Sequence, residues 1–129
     1  MSDIDVRELV QLAAVLQENL AEAEPQMAAI VTRGALNVKN AWRANAIVTA
    51  GRHARRYPYS IGYDVTPIPG GATAEIGPDK GKVQGPLGNL LEFGSSNNPP
   101  HNDGGRALLA EAPAFEAHVA ALVQRLGPA

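Results

Sequence analysis

The chain has 129 residues, 45% of them apolar and 19% charged, with a formal net charge of −2 and no cysteine. This is one domain's worth of chain, apolar enough to hold a core. The missing cysteine excludes a disulfide framework, a thiolate metal site and a cysteine nucleophile, and the slightly acidic balance gives no chain-wide nucleic-acid signature.

Aromatic residues make up only 5% of the sequence, and alanine supplies much of the apolar share. Small side chains bury little area each, so the expected core is thin and suited to completion by neighbouring subunits. No stretch reaches the roughly 18 consecutive apolar residues of a membrane span. The acidic start Met1-Ser2-Asp3-Ile4-Asp5 lacks a positive region ahead of an apolar run, so a soluble protein inside the cell that makes it is expected, with no membrane partner.

Residues 1–50 read as helical. Val6, Leu9, Ala13, Leu16 and Leu20 recur at spacings of three and four, and Met27, Ile30, Val31, Gly34, Val38, Trp42 and Ala46 continue the stripe. Ser2 or Asp3 can cap the start, and Pro25 predicts a kink or break. Charge is segregated along this region. Asp3, Asp5, Glu8, Glu18, Glu22 and Glu24 face only Arg7, whereas Arg33, Lys39, Arg43, Arg52, Arg55 and Arg56 meet no acid. Such a basic run is either a solvated face, the partner of the acidic end in head-to-tail subunit contact, or a surface near phosphates.

Tyr57, Tyr59, Ile61, Tyr63 and Val65 alternate as in a half-buried strand, and Ala72, Ala74 and Ile76 alternate again. The turn-rich 66–71 between them predicts an antiparallel β-hairpin over 57–77, with a loop longer than the tightest turns. Residues 79–105 read as loops around one short element: an exposed, mobile 79–88, a short apolar segment 87–93 that is a brief helix or strand covering the sheet, and a polar 94–105. The segment 106–126 is helical, its regular part beginning near Ala112 with Pro113 in the first turn and Gly127-Pro128 ending it. The sum is one α+β domain over 1–129, helices packed on one face of a small antiparallel sheet. No internal repeat is present.

The search for chemistry returns little. His101-Asn102-Asp103 is raw material for acid–base work or metal binding, but it lies among turn-forming residues, with no nucleophile and no second histidine at ligand spacing. His53 and His118 read as surface or boundary histidines. Gly70-Gly71, Gly77 and Gly81 match neither a Walker A loop nor a dinucleotide fingerprint. Gly104-Gly105 precedes a helix, where backbone N–H groups can hold an anion, although a flexible joint is the simpler reading. Trp42 reads as a core anchor, and the arginine-rich 52–59 (RHARRYPY) as the best local nucleic-acid candidate. No catalytic residue, metal site or cofactor is expected.

Gly88-Asn89-Leu90-Leu91-Glu92-Phe93-Gly94-Ser95-Ser96 is the informative stretch. It resembles tail-completion and head–tail connector (neck) proteins of long-tailed bacteriophages, where a hydrophobic run and Glu-Phe-Gly with Thr or Ser lead into a polar loop. Arg106-Ala107-Leu108-Leu109 and Glu111-Ala112-Pro113-Ala114-Phe115 stand where that family has an Arg-Pro-Ala-Leu-like helix start. The upstream Asn37-Val38-Lys39-Asn40-Ala41-Trp42 and the tyrosine-bearing strand follow the same order of elements. The likeness covers about residues 30–126; the chain lacks the proline after Arg106 and has a longer loop at 97–105.

The resemblance implies a structural virion protein and not an enzyme: a homo-oligomeric ring, sixfold or twelvefold, at the head–tail junction. Its partners would be a portal, adaptor or stopper protein, a tail terminator or tail tube protein, and DNA passing through the lumen. It would be assembled in the host cytoplasm and reside in the neck or tail of the virion. Glu92, Phe93, Gly94 and Arg106 are the expected interface residues. In an extended segment Phe93 would anchor in the core, Glu92 would point to a neighbour and Gly94 would permit a sharp exit. Arg52, Arg55 and Arg56 are expected to face DNA or another subunit. The competing expectations are a small nucleic-acid-binding module using 33–56, and an enzyme using His101 and Asp103.

Overall fold

The computed structural model describes residues 6–96 and 99–126, with side chains described from residue 21 onward. The proposed caps at Ser2 or Asp3 and the Gly127-Pro128 stop lie outside the described residues.

The first helix, α1 (Val6–Thr49), runs unbroken through Pro25, so the predicted break does not occur. Forty-four residues at the helical rise make a rod about 66 Å long. Two 3-10 turns, Arg52–Ala54 and Tyr57–Ser60, follow. They lead into β1 (Ile61–Ile68), which pairs antiparallel with β2 (Gly71–Pro78) from Ile61↔Pro78 through Ile68↔Gly71. The strand thus begins four residues later than the tyrosine alternation predicts, because Pro58 sits in the 3-10 turn. The connection is also tighter than expected. Only Pro69 and Gly70 lie between the paired ends, with Gly70 at φ 86°, the pairing of proline and positive φ that a type II turn uses.

The strand pattern has the predicted faces. Tyr63, Val65, Ala74 and Ile76 are half-buried, while Asp64, Thr66, Thr73 and Glu75 are exposed. The hairpin lies along α1: the backbone N–H of Gly70 donates to Glu24 Oε1 (2.8 Å), Gly71 meets Met27, and Gly77 meets the Trp42 ring.

The predicted mobile loop 79–88 is instead a chain of turns. Asp79 N–H donates to Ser60 O, Lys82 N–H to Asp79 O, and Gly85 N–H to Lys82 O. A 3-10 turn (Gly85–Leu87) feeds α2 (Gly88–Phe93), so the short apolar segment is helical. The last helix, α3 (Asp103–Leu126), starts before Arg106 and carries Pro113 within it rather than in its first turn.

α3 runs antiparallel along α1. Thr49 contacts Asp103, Asn37 donates to Glu111, and Arg125 donates to Gln26. At about 36 Å it is shorter than α1, which continues past it. Gly34 allows the Phe115 ring to lie against the α1 backbone, where a Cβ would sit 3.0 Å from the ring. The main core lies at the C-terminal end of α1: Ala46, Ala54, Tyr57 and Ile61, with Trp42, Ala50, Ile76, Leu87 and Leu91 packed on it. Trp42 is therefore a core anchor, as its stripe position predicts. Among the described residues, no helix is long and apolar enough to cross a membrane.

Candidate functional site

The family-like motif folds into a polar junction between α2 and α3. Because 88–93 is helical and not extended, the expected faces of Glu92 and Phe93 are exchanged: Glu92 is buried and Phe93 is 74% exposed. The Glu92 carboxylate accepts the backbone N–H of Gly104 on Oε1 and that of Gly105 on Oε2, both at 3.0 Å. These are the first-turn donors that an α-helix leaves without internal partners. The anion suited to this helix N-terminus is therefore supplied by the chain itself.

Asp103 is the second buried carboxylate, 1% exposed. The Thr49 hydroxyl lies 3.0 and 2.8 Å from its two oxygens, and the half-exposed Arg106 guanidinium donates to Oδ1 at 2.7 Å. Asn45 donates to the Asp103 carbonyl, which ties α3 to α1 a second time. The loop before α3 is pinned as well, with His101 N–H donating to Leu91 O and Asn102 N–H to Glu92 O. Gly94 leaves α2 at φ 76°, the backbone turn that its position required. Gly104 lies against Trp42, where a Cβ would stand 2.7 Å from ring carbons, so this glycine sets how closely α3 approaches α1.

His101 Nδ1 is 3.8 Å from Asp103 Oδ2, buried and without a hydrogen-bond partner. The distance is too long for a hydrogen bond, and Asp103 is already committed to Thr49 and Arg106. His101 and Asp103 thus stand in the junction that holds two helices, without the hydrogen bond that an acid–base pair requires. Among the described residues no group of three or more metal-ligating side chains converges.

Tyr57 lies beneath the junction, 1% exposed, its hydroxyl without a hydrogen-bond partner. Burial pushes its phenol pKa above the ordinary 10.0, and the Glu92 and Asp103 charges push the same way. The Trp42 indole N–H opposes the shift, although neither group reaches hydrogen-bonding geometry.

The basic segment divides in two. Arg43 donates to the carbonyls of Pro58 and Ile61 and lies over the Tyr59 ring, and Lys39 lies over Tyr63, so both are held within the fold. Arg52, Arg55 and Arg56 are exposed on the turns after α1. Those turns are clamped by Gln84, a residue that sequence pattern does not single out. Its Oε1 accepts the N–H groups of Arg56 (2.7 Å) and Tyr57 (3.1 Å), and its Nε2 donates to His53 O.

Large apolar side chains stand exposed on several elements. Ile47 and Val48 precede Thr49, Phe93 follows Glu92, and Leu108 and Leu109 follow Arg106; all five are more than half exposed. Among the described residues, five of the nine buried apolar side chains are, by contrast, alanines. A groove of about 320 Å³ lies between α3 and the hairpin, lined by Val38, Ala74, Ile76, Leu108, Ala112 and Phe115 among others. Comparison with family models, with curated proteins and with solved structures finds no match to this chain.

Proposed function

We propose that this chain is a structural subunit of a homo-oligomeric ring at the head–tail junction of a long-tailed bacteriophage. In this reading it joins a portal, adaptor or stopper protein to a tail terminator or tail tube around the DNA channel. The observation that carries the oligomer is the exposure of large apolar side chains: Ile47, Val48, Phe93, Leu108 and Leu109 are each more than half exposed, surface that association would remove from water.

The placement of the exposed apolar residues supports the same reading. They stand close in sequence to Thr49, Glu92 and Arg106, whose hydrogen bonds tie α1, α2 and α3 together, so the backbone that carries them is fixed before association. Phe93 takes the outward role expected of Glu92, while Glu92 and Arg106 fix the frame behind it. The likeness at 88–96 and 106–115 supplies the choice of the phage neck. Arg52, Arg55 and Arg56, held by Gln84 at one end of the fold, are the residues assigned to face DNA.

The test is particle mass and shape, by light scattering with negative-stain imaging, across protein concentration and with purified portal or tail tube. Rings, alone or with those partners, are the expected result. A monomer at every concentration, indifferent to both partners, overturns the proposal.

A further inference from the structure

We infer that the basic end of the molecule is a single two-loop surface for the phosphate backbone of duplex DNA, built from Arg52, Arg55 and Arg56 together with Lys80 and Lys82. The choice of duplex DNA as occupant rests on the neck reading; the surface itself rests on the fold.

The two loops are far apart in sequence but joined in space. Gln84 accepts from Arg56 and Tyr57 and donates to His53, and Asp79 N–H donates to Ser60 O. The turn 79–82 that carries both lysines, with Gly81 N–H on Asp79 Oδ1, is thereby held beside the turns that carry the arginines. All five cations are exposed, and none makes an ion pair among the described residues. Most of the other described cations are engaged: Lys39 and Arg43 on tyrosines, Arg106 on Asp103 and Arg125 on Gln26. Arg33 is the exception, and it lies away from this end, beside Gly34 and Phe115.

Apart from Arg33, the unengaged cations of the described residues are therefore gathered at one end, in a chain of net charge −2. Asp79 is the acid within these turns, its Oδ1 occupied by Gly81; Asp64 and Glu75 line the cleft that Lys80 and Lys82 share, but among the described residues neither pairs with a lysine. Arginine's planar fork matches phosphate oxygens, and lysine adds point charge. The clamp fixes the loop backbones in advance, so binding orders side chains and not the chain. The five cations sit on short turns and not on an α-helix or β-ribbon that could enter the major groove, so the contact is with backbone phosphates and independent of sequence.

The experiment measures binding of the full chain to a short fluorescent duplex of mixed sequence, by anisotropy, from about 50 to 200 mM salt. Four to five neutralised phosphates predict a loss of about 10²-fold in affinity over that range. The double variant K80Q/K82Q should weaken binding and lower the salt slope by nearly two, although neither lysine lies in the arginine-rich segment. Gln84→Ala, which removes no charge, should weaken binding while leaving the slope unchanged, and circular dichroism confirms that each variant is folded. Absence of binding, a preference for single strands, or a salt slope indifferent to K80Q/K82Q each overturns the inference. Particle mass on the same samples separates the two proposals. Rings that ignore DNA sink this inference alone, and a strict monomer that binds DNA through both loops sinks the neck reading alone.

Discussion

Glu92 and Tyr57 show how one buried polar group stabilises the fold and another works against it. The Glu92 carboxylate satisfies two N–H groups that the first turn of α3 cannot pair internally. Hydrogen bonds to a charged acceptor are worth about 1.5–3 kcal/mol each in gross mutational cost, less what water recovers at the opened site. Glu92→Ala should therefore lower stability by about 2 kcal/mol, read as a lower urea midpoint with unchanged slope. Tyr57 has the opposite balance, since its buried hydroxyl has no partner. Tyr57→Phe removes the unmet group at nearly constant volume, and should be neutral or stabilising by about 1 kcal/mol. It should also alter the alkaline limb. The folded-state pKa lies above the unfolded value of 10.0, so the folded chain holds its proton more tightly. That contribution is complete below the unfolded value and is lost as pH rises from there through the folded value. The wild type should lose stability above about pH 10 more steeply than Tyr57→Phe in parallel urea titrations; equal slopes would place the phenol in water.

The long elements were legible because a stripe repeated over many turns outweighs local exceptions. Val38, Trp42 and Ala46 mark the inner face of α1, and alternation from Ile61 to Val65 and from Ala72 to Ile76 marks the two hairpin strands. Short elements were misread where the deciding partner lies far away in sequence. The segment 88–93 has too few residues to display a period, and its helical form exchanges the faces of Glu92 and Phe93. The N–H groups of Gly104-Gly105 are legible as a place for an anion, but that the anion is the Glu92 carboxylate depends on a residue twelve positions away. The turns at 79–88 look mobile by composition, yet one side chain, Gln84, ties them to 53–57. Pro25 costs about 3 kcal/mol against alanine within a helix, and the rest of α1 outweighs that cost. Pro25→Ala should accordingly raise stability by about 1–3 kcal/mol and strengthen the helical signal, because it restores an N–H to a continuous helix. A loss of stability would mean that α1 needs the constraint which proline imposes there.

At the scale of the whole molecule, the distribution of small and large side chains decides between a self-sufficient monomer and an assembling subunit. Among the described residues, alanines are five of the nine buried apolar side chains, while Phe93 and Leu109 stand 74% and 73% exposed. Side chains so open contribute little to the stability of an isolated chain, and substitutions at such positions usually change it by no more than about 0.5 kcal/mol. In an assembly the same side chains leave water and stabilise by about 25 cal/mol for each Å² they bury. Mass action then links assembly to stability: a subunit that associates only when folded should melt at higher temperature as its concentration rises. The wild type should show that rise, and Phe93→Ser with Leu109→Ser should abolish it together with the larger particle mass. The variant's melting temperature should match the wild type's at the lowest concentration, because its monomer is built on the same alanine core. A variant that melts far lower even when dilute would place Phe93 or Leu109 against the chain's own core, and the exposed apolar surface would no longer support a ring. A variant that keeps both the mass and the concentration dependence would move the interface elsewhere, to the groove between α3 and the hairpin, where Ile76 and Phe115 provide the other large apolar lining.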